Sequence, residues 1–252
     1  MNKAKNKRII RSWSSKSAVK HYLGHRGKLS ELYRSERYFM QEALKKEKSM
    51  LDIGCAAGGF LKIARRYNKN IDYTGVDISP TMIDEARGRS PNGKFCLTNG
   101  ETLDFPDNFF DVCLSFGVFH MVENWKRLLA EAWRVCRNTL LFDLRIVKKK
   151  DARDKDASYQ RLEFNEKWDG ISRAPYVVLG VDEAVRHIVS LKPRIKSFKS
   201  YGYWHPVSKS TVSRYSMVCM SVFCLRKKAP KESFEWRLPF EVPFRLKAVL
   251  PG

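Results

Sequence analysis

No apolar run in this 252-residue sequence is long enough to span a bilayer. The longest, residues 215–225, is about half the roughly 20 residues required and is broken by Ser216 and Ser221. Nor does an apolar segment of about 7–15 residues follow the basic stretch 1–13, so a secretory leader is not expected and the chain is expected to be cytoplasmic. Cys-x-x-Cys pairs are missing as well. The six cysteines (Cys55, Cys96, Cys113, Cys136, Cys219, Cys224) are scattered, mostly inside apolar runs, as small reduced core residues are. Neither disulfides nor a metal site is expected. Acidic residues are scarce relative to basic ones, 27 against 48, and the net charge of +21 favours an anionic partner by raising the local concentration of anions.

With 43% hydrophobic residues, the chain can bury a full core. Residues 13–48 carry Val19, Tyr22, Leu23, Leu29, Leu32, Tyr33, Phe39, Met40 and Leu44 at three- and four-residue steps, which predicts a helical cap over 1–48. The period then changes. Short apolar runs at 50–53, 71–76, 95–97, 112–116 and 139–147 alternate with helical segments, the rhythm of a parallel sheet with crossover helices. The clearest helix is predicted from Asn124 to Arg137. A charge-dense stretch within 148–180 reads as a lid-like insertion containing Tyr159 and Trp168, followed by a short helix over 182–191. Strands near 195–204 and 215–226 finish a domain over 49–228 and flank a loop holding His205 and Pro206. In the tail, 229–252, Phe234, Trp236, Leu238, Phe240, Val242, Phe244 and Leu246 take every second position, giving one apolar face. Pro239 and Pro243 donate no ladder hydrogen bond, so this is an edge strand or extended arm, lying on the chain's own core or forming a homodimer contact.

The chemistry starts at Leu51-Asp52-Ile53-Gly54-Cys55-Ala56-Ala57-Gly58-Gly59-Phe60, an apolar strand ending in a glycine-rich turn that opens a helix. The absence of a Cβ at Gly54 and Gly58 lets backbone approach a ligand closely. Asp77 ends the next strand, where an acid suits a ribose diol; Ser79 and Pro80 start the following helix. A nicotinamide site would use the same strand ends, but its fingerprint needs a middle glycine to admit a pyrophosphate, and Ala56 stands there. A ligand without phosphates fits better.

Further on, residues Asn99 to Asp111 form a loop leading into the fourth strand, and Phe116-Gly117-Val118-Phe119-His120 ends that strand. With these four motifs in order over about residues 48–147, the chain resembles a class I S-adenosylmethionine-dependent methyltransferase of the small-molecule, methyltransferase-11-like type. The resemblance implies an α/β, doubly wound, Rossmann-like sheet of seven strands, mostly parallel with the last antiparallel, bearing the N-terminal cap and C-terminal arm. It implies that Asp52, Gly54, Cys55, Ala56 and Gly58 hold the methionine end of S-adenosyl-L-methionine, Asp77 the ribose, and Ile78 and Met82 the adenine. Asn99, Gly100, Glu101 and Phe116 complete the cofactor site, with Asn99 where an aspartate is common. Methyl transfer needs alignment and sometimes a base, but no metal. His120 is the first candidate base, since an imidazole with a pKa of about 6.5 accepts a proton at neutral pH; orientation or packing is the alternative. Phe119, Trp168, Tyr203 and His205 are candidates for lining the acceptor pocket. The expected acceptor is the oxygen or nitrogen of a small molecule, with anionic character favoured by the basic loops. RNA modification stays open through Lys192, Arg194, Lys196, Lys199, Lys209 and Arg214. A non-catalytic partner subunit that binds S-adenosylmethionine is the third reading.

Overall fold

The computed structural model describes residues 9–98, 101–148, 158–162 and 172–242. The cap is not one helix. Among the described residues it holds a helical segment over 9–13 and three further short helices, α1 (Lys16–Leu23), α2 (Arg34–Tyr38) and α3 (Met40–Leu44). Ser15 starts α1 by accepting from Ala18 N–H at 3.2 Å, and Gly24 ends it. The loop that follows carries Arg26 in a left-handed conformation (φ 60°). The apolar periodicity of 13–48 does not register this break, which turns a charged side chain inward.

From residue 49 the sheet and helices alternate: β1 (Ser49–Ile53), α4 (Phe60–Tyr67), β2 (Asp72–Asp77), α5 (Pro80–Arg89), β3 (Lys94–Leu97), β4 (Phe110–Ser115), α6 (Trp125–Val135) and β5 (Cys136–Val147). These five strands pair in parallel in the order β3-β2-β1-β4-β5. Ser79 caps α5 by accepting from Met82 N–H, with Pro80 at the first helical position. Helix α6 puts Trp125, Leu128, Leu129, Ala132, Trp133 and Val135 against one face of the sheet. Phe60, Leu61, Ile63 and Ala64 of α4 and Ile83 and Ala86 of α5 cover the other. Both faces are covered, so β1 and β4 are buried along nearly their whole length rather than on alternate residues.

The second half departs from the expected pattern. Two strands of the insertion, β6 (Tyr159–Arg161) and β7 (Arg173–Pro175), join β10 (Thr211–Val212) in a separate three-stranded antiparallel sheet. Then come β8 (Leu179–Gly180), α7 (Val181–Val189), β9 (Ser197–Pro206), β11 (Met217–Arg226) and β12 (Ser233–Arg237). Strand β11 is antiparallel to both β5 and β9, as expected of the last strand of the domain. Two additions raise the main sheet from the expected seven strands to nine: β8 pairs with β5, and β12 adds in parallel to β9 at the edge. The period-two tail is therefore an edge strand over 233–237, where Phe234 and Trp236 pack on Phe198. Pro239 lies two residues beyond Arg237, the last paired residue, consistent with its missing donor. His205 and Pro206 are not in a loop. They are the last residues of β9, opposite Val218 and Met217.

All six cysteines are free, Cys96 exposed and the others buried. Among the described residues no helix is long and apolar enough to cross a membrane, and no His, Cys, Asp and Glu side chains cluster as a metal site would.

Candidate functional site

In an open doubly wound sheet a ligand crevice forms where strand order reverses, at the carboxyl ends of the strands. Here that point lies between β1, which has β2 on one side, and β4 on the other. The turn after β1 is bent sharply: Gly54, Ala56 and Gly58 all have positive φ (80°, 45° and 74°). At Gly54 a Cβ would sit 2.3 Å from a Val118 methyl, so the backbone there reaches space that no side chain could share. Asp77 fixes the turn. Its Oδ2 accepts Ala56 N–H and its Oδ1 accepts Ser79 N–H, each at 2.9 Å. Burial nevertheless outweighs these bonds and pushes the Asp77 carboxyl above its ordinary range.

The cavity above the strand ends encloses about 1080 Å³ of space, including its open mouth. Gly54, Ala56, Asp77, Ile78, Met82 and Phe116 line it, six of the residues predicted to bind cofactor. An adjoining recess shares Gly54, Ala56 and Phe116 and adds Asp52 and Cys55. Asp52 is buried there and accepts a short hydrogen bond from the Tyr73 hydroxyl; burial raises its pKa to about 6 despite that bond. Gly58 lines neither space. It holds the turn, since a Cβ there would meet the Phe95 ring at 2.9 Å. Glu101 also lies apart, 3.8 Å from Arg127. Asn99, Gly100 and Trp168 lie outside the described residues.

The cap supplies what sequence reading missed. Ile9, Trp13, Tyr22 and Arg26 line the cavity, and Tyr22 and Arg26 also line the recess. Tyr22 shows in the sequence only as part of an apolar stripe, and Arg26 has no signal at all. The Arg26 guanidinium pairs with Glu36 at 3.0 Å, and a Cβ at Gly117 would come within 2.8 Å of it. Thr98, Val118, Met121, Val122 and Glu123 complete the wall.

The predicted acceptor-side residues do not meet at one place. Phe119 is fully buried, edge-on to Phe142 in the core. His120 is also buried, on a short 3-10 turn (Phe119–Met121) between the cavity residues Gly117 and Met121, and no partner bonds its Nδ1. Burial, with Arg145 nearby, holds its pKa well below the usual imidazole value. Tyr203 and His205 belong to a cluster with the cap: the His205 ring lies 5.4 Å from Tyr33, and Arg34 sits 4.5 Å over Tyr203. Tyr159 pairs with Pro175 in the small sheet. Part of the basic stretch after α7 is neutralised, Lys196 by Glu232 and Lys199 by Glu42 at 2.8 and 2.7 Å.

Residues 51–140 match a family model described as a methyltransferase domain. Over 88 residues the chain is 34% identical to malonyl-[acyl-carrier protein] O-methyltransferase of Serratia marcescens, covering 35% of this chain and 34% of that one. It is 31% identical over 122 residues to ajmaline N-methyltransferase of Rauvolfia serpentina, covering 44% and 41%. The chain thus spans between a third and two-fifths of the length of these curated relatives. A SAM-dependent methyltransferase of Thermotoga maritima shares the fold with a TM-score of 0.53 at 20% identity, over 87% of this chain and 99% of that one. Strand order, the bent turn facing an acid on β2 and these matches agree: residues 51–140 resemble a methyltransferase domain, and the fold is the one shared by class I methyltransferases.

Proposed function

We propose that this chain binds S-adenosylmethionine in the cavity and transfers its methyl group to an oxygen or nitrogen of a small molecule. The observation that carries the reading is the joining of the Gly54–Ala56 turn, Asp77, Ile78 and Met82 around one space at the switch point. The residues fit the cofactor in shape and charge. Gly54 leaves room against Val118, and Asp77 offers carboxylate lone pairs beyond its backbone bonds for the ribose hydroxyls. Ile78 and Met82 give apolar contacts for the adenine. At the other end Arg26 and Asp52 present opposite charges to a carboxylate and an ammonium.

When bound, S-adenosylmethionine supplies a methyl group made electrophilic by a sulfonium. The chain contributes alignment. Phe116 and Gly117 form the wall at the end of β4, and the cap adds Trp13 and Tyr22 to the lining. Incubation with methyl-labelled S-adenosylmethionine and a small-molecule panel tests the reading. Label transfer by the purified chain is expected, with loss in Asp77→Ala. Cofactor binding without transfer until a second protein is added would favour a partner subunit.

A further inference from the structure

Beside the cavity, behind Gly117, four elements converge on a polar cluster that the cofactor reading leaves unused. Strand β5 brings Asp143 and Arg145, buried and paired by a short hydrogen bond. The turn after β4 brings His120. The insertion brings Tyr176, buried beside the Arg145 guanidinium with its ring 5.5 Å from His120, and docks there as Val177 N–H donates to the His120 carbonyl at 2.7 Å. The cap brings Tyr33, over whose ring Arg145 lies at 5.9 Å, and Glu36.

The carboxylates here are already engaged. Asp143 accepts from Gly117 N–H at 2.7 Å and from Arg145; Glu36 accepts from Arg26 and from Tyr33 N–H. Donors are in surplus, since the five N–H groups of Arg145 exceed what Asp143 and the Tyr176 oxygen take up, and the Tyr176 hydroxyl keeps its own proton to donate. A base is lacking. His120 is held neutral by burial and by Arg145 and Arg26, which outweigh Asp143, and burial raises the Tyr176 pKa so that its proton stays. A protonated amine would bring a second positive charge to Arg145 and find only the weakly basic His120 to take its proton.

We propose, resting on the methyltransferase reading, that the acceptor is a carboxylate-class anion whose ionised oxygen binds at Arg145, Tyr176 and His120. The oxygen forms the new C–O bond as the C–S bond breaks with its electron pair left on sulfur. No proton has to leave, so the missing base is not a defect.

The chain loaded with S-adenosylhomocysteine is titrated calorimetrically with acetate, malonate and benzoate, and with acetamide, benzamide and benzylamine. At least one carboxylate is expected to bind about tenfold or more tightly than the amide or amine, the gain of a charge-assisted hydrogen bond. Arg145→Gln should erase the preference. Because that change strands Asp143, Tyr176→Phe is measured alongside and should weaken the carboxylate severalfold while S-adenosylhomocysteine binds as before. Failure of every carboxylate to bind, equal or tighter binding of the amide or amine, or a preference unchanged in both variants overturns the proposal. If the unsubstituted chain does not bind S-adenosylhomocysteine, the methyltransferase reading itself falls, a separate outcome.

Discussion

The amide N–H of Ala56 donates to Oδ2 of Asp77 at 2.9 Å, tying the turn after the first strand to the acid that ends the second. One carboxylate therefore shapes the backbone and faces the cavity at once. Asp77→Ala should weaken S-adenosylhomocysteine binding by about tenfold or more, as expected when a charged hydrogen-bonding group is removed. Asp77→Asn keeps one acceptor and should fall between. Calorimetry on both variants checks the order.

Asp52 gives a pH dependence with opposite signs for stability and binding. Its folded pKa of about 6 lies above the ordinary carboxyl value of 3.8. Stability from this group is thus fully present below about 3.8 and is lost as pH rises through 6, by roughly 3 kcal/mol at most. Without cofactor, Asp52→Asn should gain stability relative to the unsubstituted chain between pH 4 and pH 8 in urea melts. Cofactor affinity should instead rise through pH 6 in the unsubstituted chain, because an ionised Asp52 meets the ammonium, and that rise should vanish in Asp52→Asn.

At the turn, Gly54→Ala and Ala56→Gly should act in opposite directions. A Cβ at 54 meets Val118 at 2.3 Å from a φ of 80°, so Gly54→Ala should destabilise the fold and abolish cofactor binding. Ala56 already carries its Cβ at a φ of 45°, a conformation costing about 1 kcal/mol that a glycine in its place would not bear. Ala56→Gly should hold or raise Tm by thermal melting.

Much of this was legible along the chain. The strands β1 to β5, the Ser79 cap and the turn facing Asp77 all depend on local period or on short spacing. Arg26 was not legible: its role comes from a break in the cap that carries it over Gly117 and against Glu36, contacts with no periodic trace. The same holds for β12. Alternation marked 233–237 as edge-like, but its pairing with β9 depends on a partner more than thirty residues earlier in the chain. Phe119 was misleading for a physical reason: it follows the cavity residues Gly117 and Val118 but begins a 3-10 turn that carries its ring into the core.

The edge strand carries its own test. Phe234 and Trp236 rest on Phe198, and the Trp236 indole donates to the Phe240 carbonyl at 2.6 Å. Trp236→Ala should destabilise the chain by about 1–3 kcal/mol in urea, less than a fully buried aromatic would, and leave cofactor affinity unchanged.

On the proposed reading, the cavity at the switch point takes an adenosyl ligand without phosphates. Parallel calorimetric titrations with S-adenosylmethionine, S-adenosylhomocysteine and NAD test it directly. Saturable binding of both adenosyl ligands, with none of NAD, is the predicted result; binding of NAD, or of none of the three, would contradict it.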